Sequence, residues 1–199
     1  MRVTLADICD VSSGFTARNR LDEAVTGVPV LQTRDVGDDP KIAPSGLMLA
    51  AIDGPVERYL VGSGDVVFKS KGERSVAAYL GDDFVVPAVA VLPVMILRVK
   101  GKVLPEFLVW SINQPEAQRH FDSDARSGTV RAVPKASIET LPISLPDLAT
   151  QKKIIEVDRL TRKEAELSAQ LISLRQRLVA EKLKALANDA VAYGVQERF

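Results

Sequence analysis

The stretch that decides the fold is residues 148–188, LATQKKIIEVDRLTRKEAELSAQLISLRQRLVAEKLKALAN. It contains neither proline nor glycine, and it is dominated by Ala, Leu, Glu, Lys, Gln and Arg, which are strong helix formers. Asp147 is a suitable N-cap, and Pro146 precedes it at the end of an extended segment. These features predict one helix of about 40 residues, which at 1.5 Å per residue is about 60 Å long.

An apolar stripe with coiled-coil spacing runs along this helix. Its members alternate at intervals of three and four residues, apart from an interruption at Glu164, and they are Val157, Leu160, Leu167, Leu171, Leu174 and Leu178. The stripe then moves over by one position, as a stutter would produce, to Val179, Leu183, Leu186 and Ala190. A domain about 30 Å across is too small to cover such a helix. The pattern favours a second helix as the partner, and the alternative is a helix packed on its own domain.

The part of the chain before this helix predicts a mixed fold. Short β-branched runs bounded by Gly and Pro predict strands at residues 28–33, 65–68, 77–80, 85–86 and 94–99. Pro105 is expected to begin a helix that ends at Asn113, and Pro115 to begin a second one towards Phe121. Residues 138–145 are expected to be extended. The prediction is therefore an α/β (α+β) domain, residues 1–147, followed by a long coiled-coil helix and its tail, residues 148–199.

Composition and charge exclude several classes of protein. The chain is 46% hydrophobic, which is enough for a folded core, and no apolar run approaches the roughly 18–20 residues of a membrane span. Residues 1–7 lack the features of a signal peptide, and Cys9 is the only cysteine, so we expect a soluble cytoplasmic protein without disulfides. Residues 1–148 carry 16 basic and 19 acidic residues, a net charge of −3, and the remainder carries 10 and 7, a net of +3. Bulk charge gives no support to nucleic-acid binding.

No catalytic or metal-binding motif is visible. The only histidine, His120, lies in the segment His-Phe-Asp-Ser-Asp with Asp122 and Asp124, without a second His or a Cys to complete a metal site. The chain has no Gly-x-Ser-x-Gly elbow and no phosphate-binding loop. We therefore expect no enzymatic activity and no bound metal; the alternative is a small hydrolase or metal enzyme centred on His120.

Two basic loops and one strand end carry side chains suited to DNA. Lys and Arg supply charge to phosphates, hydroxyls supply directed hydrogen bonds, and Arg and Gln can read guanine and adenine. The candidate residues are Gln32, Thr33 and Arg34 in the first group, Lys69, Ser70, Lys71 and Arg74 in the second, and Arg126, Ser127, Thr129 and Arg131 in the third. The alternative for each group is an ordinary solvated loop.

The order of these segments resembles the DNA-specificity (S) subunits of type I restriction–modification systems. That family opens with Leu-x-Asp-hydrophobic and a Ser-Gly loop, and it ends with a Leu-Pro-hydrophobic-Pro-x-Leu-x-x-Gln element running into a long helix. The matching segments here are Leu5–Ile8, Ser12–Thr16, Leu31–Val36, Gly64–Gly72, Ser127–Thr129 and Leu141–Gln151. The resemblance covers residues 5 to about 186.

The resemblance implies a function and a set of partners. A full S subunit resembles two such units in tandem with antiparallel helices, so this chain looks like a half-subunit, natural or truncated, that a second copy would complete. Two readers related by a two-fold axis would recognise an inverted, bipartite site in double-stranded DNA. The resemblance further implies adenine methyltransferase subunits, which would bind S-adenosylmethionine, and a motor–nuclease subunit; no cofactor is expected in this chain. The rival hypothesis is a coiled-coil scaffold that does not read DNA.

Overall fold

The chain is a mixed α/β domain followed by a long C-terminal helix, as predicted. The computed structural model describes residues 1–18, 20–124 and 131–196, and in the last helix it describes side chains as far as residue 188. The chain divides into two compact units: the first is Met1–Ile155, and the second begins at Glu156.

Most strands of the first unit are only two to five residues long. They are β1 (Arg2–Thr4), β2 (Cys9–Ser13), β3 (Val28–Leu31), β4 (Lys41–Ile42), β5 (Met48–Ala50), β6 (Leu60–Val61), β7 (Val66–Lys69), β8 (Val76–Leu80), β9 (Ala88–Ala90), β10 (Val94–Val99) and β11 (Pro142–Ser144). The helices are α1 (Leu5–Ile8), α2 (Pro105–Ile112), α3 (Pro115–Asp124), α4 (Lys135–Glu139) and α5 (Leu148–Gln196). Single 3-10 turns occupy Thr33–Asp35 and Glu57–Tyr59.

Three small sheets organise these strands. One sheet has the order β2-β10-β7-β8-β4, a second has the order β5-β3-β9-β6, and β1 pairs with β11. Alternate side chains of β7 enter different cores: Phe68 packs with α2 and α3 residues such as Phe107 and Phe121, whereas Val67 packs with Leu31 and other residues around the second sheet. The middle of the five-stranded sheet is therefore buried on both faces, in agreement with the apolar runs of its central strands β7, β8 and β10.

Helix α2 is fixed to the five-stranded sheet by a side chain at its end. Asn113 accepts a hydrogen bond from the Ala77 N–H and donates one to the Ala77 carbonyl, both at 2.9 Å. The Asn113 side chain thus forms with Ala77 of β8 the pair of hydrogen bonds that a neighbouring strand would otherwise form. The predicted helices beginning at Pro105 and Pro115 are confirmed, as is the end of the first at Asn113.

The start of α5 is part of the core of the first unit. Asp147 accepts a hydrogen bond from the Thr150 N–H at 2.8 Å, which confirms it as the N-cap, and hydrogen bonds from Thr150 hold the pKa of its carboxyl below the ordinary value. Gln151 is fully buried; its oxygen accepts from the Leu104 N–H at 2.9 Å, and its nitrogen donates to the carbonyls of Lys102 and Pro146 at 2.9 and 3.0 Å. Within the described ranges, no helix has the length and apolarity needed to cross a membrane.

Two predicted elements are wrong. Val85 and Val86 do not form a strand and are 80% and 58% exposed, because the turn before them bonds the Phe84 and Val85 N–H groups and Pro87 has none. Residues 138–145 are only partly extended, since Pro134 caps the helix α4, which includes the buried Ile138, and β11 begins at Pro142.

We predict that Gln151→Ala lowers the free energy of unfolding of the first unit. The substitution removes three hydrogen bonds between a fully buried side chain and the backbone, and leaving a polar group without its partner costs about 1–3 kcal/mol. Urea unfolding followed by tryptophan fluorescence measures the change. Lys152→Ala, at the exposed neighbouring position, is the control. Equal stability of the two variants would contradict the anchoring role of Gln151.

We also predict that the Cys9 thiol is unreactive in the folded protein. Burial, with a contribution from Asp10, raises its pKa to about 12, so the nucleophilic thiolate is scarce at pH 8. Alkylation by iodoacetamide at pH 8 should be slow without urea and fast in urea.

The same shift gives a pH dependence of stability. Because the pKa of this thiol is higher in the folded chain, its contribution to stability is complete below about pH 8.5 and declines as the pH rises towards the folded value. The difference in unfolding free energy between the wild type and Cys9→Ala should therefore shrink between pH 8 and pH 11. A constant difference would count against the raised pKa.

Candidate nucleic-acid interface

Four strands of the first unit end at one side of the two larger sheets. Phe15, which follows β2, donates its N–H to the Ala90 carbonyl at 2.7 Å, and its carbonyl accepts from Leu92 at 2.9 Å. The Leu31 carbonyl at the end of β3 accepts from the Val91 N–H at 2.9 Å, and Ser70 after β7 donates to the Pro93 carbonyl at 3.2 Å. We call this the strand-end surface; it comprises Phe15, residues 32–34, residues 69–74, residues 92–93 and Arg131.

The strand-end surface brings together candidate residues that are far apart in sequence. The Gly72 N–H donates to the Arg131 carbonyl at 3.1 Å, and the Val133 N–H donates to the Ser70 carbonyl at 2.8 Å, so residues 131–133 run beside the loop 69–74. Gly72 has φ +135°, a conformation that favours glycine at this crossing. Arg126, Ser127 and Thr129 lie outside the described residues.

The first predicted group, Gln32, Thr33 and Arg34, begins at the same side. The Gln32 N–H donates to the Asp35 carboxylate at 2.7 Å, which forms a turn that presents Thr33 and Arg34 beyond the end of β3. The Arg34 side chain is 60% exposed, with its nearest carboxylate, that of Asp35, at 3.9 Å.

The predicted cations differ in how far the fold neutralises them. Arg74 pairs with Asp38 at 3.1 Å, and both side chains are exposed. Arg131 lies 2.5 Å from the Asp122 carboxylate, with only 22% of its side chain exposed, and donates to the Glu73 carbonyl at 3.3 Å. The contact with Asp122 is close but misaligned, so the Arg131 Nε and Nη2 atoms are buried without a hydrogen bond of good geometry. We regard it as an ion pair because the charges are in contact.

Two other members of the predicted set are not equivalent. Ser70 is 7% exposed and donates its hydroxyl to the Pro93 carbonyl at 2.7 Å, so in this structure it holds the loop. Lys71 is exposed, and no carboxylate among the described residues lies within 4.0 Å of it. The strand-end surface also includes an apolar residue, Leu92, that the sequence analysis did not predict; its side chain is 39% exposed. Nothing in the local sequence distinguishes Leu92 from the buried apolar residues beside it.

His120 lies within α3, where it connects two helices. Its Nε2 atom is 2.9 Å from the Ser137 carbonyl of α4 and 3.9 Å from the Asp124 carboxylate. In the parts of the chain that the structure describes, no group of three or more metal-ligating side chains occurs. The contacts of His120 account for its position without a catalytic role.

The second unit contains the apolar stripe of α5. Its predicted members, Val157, Leu160, Leu167, Leu171, Leu174 and Leu178, are between 49% and 63% exposed. Ion pairs within the helix, such as Arg159 with Glu156 at 2.7 Å and Arg162 with Asp158 at 2.6 Å, stabilise α5 without covering the stripe. An exposed row of leucines of this length is typical of an interaction surface.

Comparison with known proteins identifies the family. The sequence profile described as "Type I restriction modification DNA specificity domain" matches residues 1–174. Among curated proteins, no sequence matches the chain.

Solved structures share the fold. The HsdS subunit from Thermoanaerobacter tengcongensis is similar with a TM-score of 0.61 and 18% identity, over 84% of this chain and 38% of the other. A chain from a structure described as the basis of complex assembly and conformational transition of the type I R-M system gives 0.60 and 18%, over 84% and 39%. The chain thus spans less than two fifths of the length of these proteins.

The profile covers both the strand-end surface and much of α5. The family is one of non-catalytic specificity subunits. The chain belongs to the type I restriction modification DNA specificity domain family.

Proposed function

We propose that this chain reads DNA sequence for a restriction–modification complex through its strand-end surface. The observation that carries the proposal is the pairing of the loop 69–74 with residues 131–133 beside the end of β3, which places separate groups of cations and polar side chains on one surface. Such a surface can combine phosphate contacts with base contacts, which specific recognition requires. Membership of the specificity-domain family supports the same function.

We propose further that α5 pairs with the α5 helix of a second copy. Apolar side chains that are half exposed along several turns become buried in such a pair, and a self-complementary contact closes with two-fold symmetry. The resulting dimer would present two identical readers to an inverted, bipartite site in double-stranded DNA.

The charge distribution of α5 supports an antiparallel pair. Residues 156–172 carry three basic and four acidic side chains, a net charge of −1, whereas residues 173–188 carry four and one, a net of +3. An antiparallel arrangement places the acidic half of each helix opposite the basic half of the other, and a parallel one places like charges together.

The remaining partners follow from the proposed role. Adenine methyltransferase subunits, which would hold S-adenosylmethionine, and a motor–nuclease subunit would perform the chemistry at the site that this chain selects, in the cytoplasm. The net charge of −3 over residues 1–148 implies that the chain alone binds DNA weakly and that partners supply much of the phosphate contact.

Replacing Leu167, Leu171 and Leu174 by Gln should convert a dimer to a monomer, because the stripe loses its apolar contact. Light scattering at tens of micromolar protein measures the mass, and circular dichroism checks that the helix persists. Ile172→Gln is the control, since Ile172 is 56% exposed but lies outside the stripe. A monomeric wild type, or a triple variant of unchanged mass, would refute self-pairing.

Sequence reading is tested by expressing the chain with a cognate adenine methyltransferase and mapping the methylated adenines. The double variant Lys71→Gln, Arg74→Gln should lose methylation at its specific sites and remain dimeric, because one wrong or missing base contact costs about 1–3 kcal/mol. Arg126→Ala and Arg131→Ala test the third loop group in the same way.

Lys100→Gln is the control for these variants, because Lys100 pairs with Asp10 and follows the end of β10 opposite to Pro93. If the wild-type complex shows no sequence preference, the chain is a coiled-coil scaffold and the proposal is wrong. If all loop variants keep the wild-type sites, another surface reads the DNA.

A further inference from the structure

A cleft of about 950 Å³ opens beside the strand-end surface. The aromatic rings of Phe15 and Tyr59 and the side chains of Arg18, Arg20 and Arg58 line it. None of these arginines belongs to the loops that the sequence singled out for DNA binding. Their segments are separated by about forty residues, so only the folded chain places them around one cavity.

Phe15 joins the cleft to the strand-end surface. Its backbone bonds to Ala90 and Leu92 at the ends of the strands, whereas its ring packs edge-on against Tyr59, with the ring centroids 5.4 Å apart. Phe15 therefore belongs to both surfaces, which lie next to each other. DNA bound at the strand-end surface would lie next to the cleft.

Arg58 is held in a fixed orientation at the cleft. Its guanidinium carbon lies 4.5 Å from the centre of the Tyr59 ring, and its Nη2 donates to the Tyr59 phenol oxygen. Stacking on an aromatic ring restricts the side chain and leaves further N–H donors for a ligand. A planar guanidinium fixed in this way is preorganised for two parallel hydrogen bonds.

The arginines of the cleft have no acidic partner among the residues that the structure describes. No carboxylate of the described residues lies within 4.0 Å of Arg18, Arg20 or Arg58, whereas Arg74 and Arg131 on the strand-end surface are both paired. The N–H donors of the cleft arginines are therefore not occupied by any described carboxylate.

Carboxylates also line the cleft, and they indicate which part of DNA it fits. Asp22, Glu23 and Asp53 balance the three arginines, so the cleft offers acceptors as well as donors and has no net formal charge. A phosphate backbone presents only acceptors and would be repelled by the carboxylates. The base edges in the major groove present both donors and acceptors, for which arginine and aspartate are the matching side chains.

We propose that exposed side chains lining this cleft enter the major groove of the duplex and that Arg58 determines specificity by bonding to guanine. The inference rests on the proposed function, because it requires that the chain reads DNA. It adds a second base-contacting surface, in which Arg58 uses its fork on the O6 and N7 atoms and the carboxylates accept from cytosine amino groups.

The test is a selection from a random duplex library with the full chain and a cognate methyltransferase, followed by sequencing of the bound DNA. The decisive variant is Arg58→Lys, because lysine keeps the charge but has no fork. Preference for one G·C pair should fall by about 5- to 150-fold, the discrimination of one bidentate contact. The salt dependence of binding should stay unchanged. Arg2→Lys, at an exposed position on β1, is the matched control and should keep the wild-type preference.

Each outcome decides between the possibilities. If the wild type selects a sequence and Arg58→Lys selects the same one with equal preference, Arg58 does not read bases and the inference is wrong. If Arg58→Gln keeps the wild-type sequence preference and makes the negative slope of log affinity against log salt shallower by about 0.9, the cleft contacts phosphate instead. A wild-type complex with no sequence preference overturns the proposed function itself, and the inference falls with it.

Discussion

The start of the long helix depends on the hydrogen bonds that the side-chain amide of Gln151 forms with the backbone. This amide bonds to one N–H and two carbonyls that lie 47, 49 and 5 residues away in sequence, and it is itself fully buried. An amide with both ends bonded can enter a hydrophobic core without a large desolvation cost, whereas any smaller or apolar residue would leave the backbone groups unpaired. The first turns of α5 thereby become part of the core of the first unit, with Ile154 and Ile155 packed against it.

The sheets impose a second constraint, on the loops. Because the strands are short, the chain reverses often, and hydrogen bonds between loop backbones fix where each reversal lies. The loop after β7 is held at Pro93 and again at Arg131, and the segment after β2 is held between Ala90 and Leu92. Loops bonded in this way can present side chains in a defined arrangement, which recognition of a base sequence requires.

The distribution of charge shows what the fold does with its arginines. Arg131 is partly buried against Asp122 and bonds to the Glu73 carbonyl. It therefore stabilises the loop in which it was predicted to bind DNA. Arg58, in contrast, is held by an aromatic ring instead of a carboxylate and keeps its charge available. A basic side chain can stabilise a loop of the protein or bind a ligand, and the number of basic residues in the sequence does not distinguish these two roles.

The sequence by itself determined the long helix, its N-cap at Asp147 and the exposed leucine stripe, because helix propensity and the spacing of apolar residues act between neighbours in the chain. It also indicated the helices at Pro105 and Pro115 and the strands around Val67 and Ile96, whose apolar runs are long enough to recognise. Strands of two or three residues, such as β4 and β6, carry no such signal. The isolated pair Val85–Val86 has the composition of a strand but does not form one. Only the tertiary structure decided that the loops at Lys71 and Arg131 are neighbours and that Phe15, Arg58 and Tyr59 form a cleft. The physical reason is that these contacts depend on strand order and on hydrogen bonds between residues tens of positions apart.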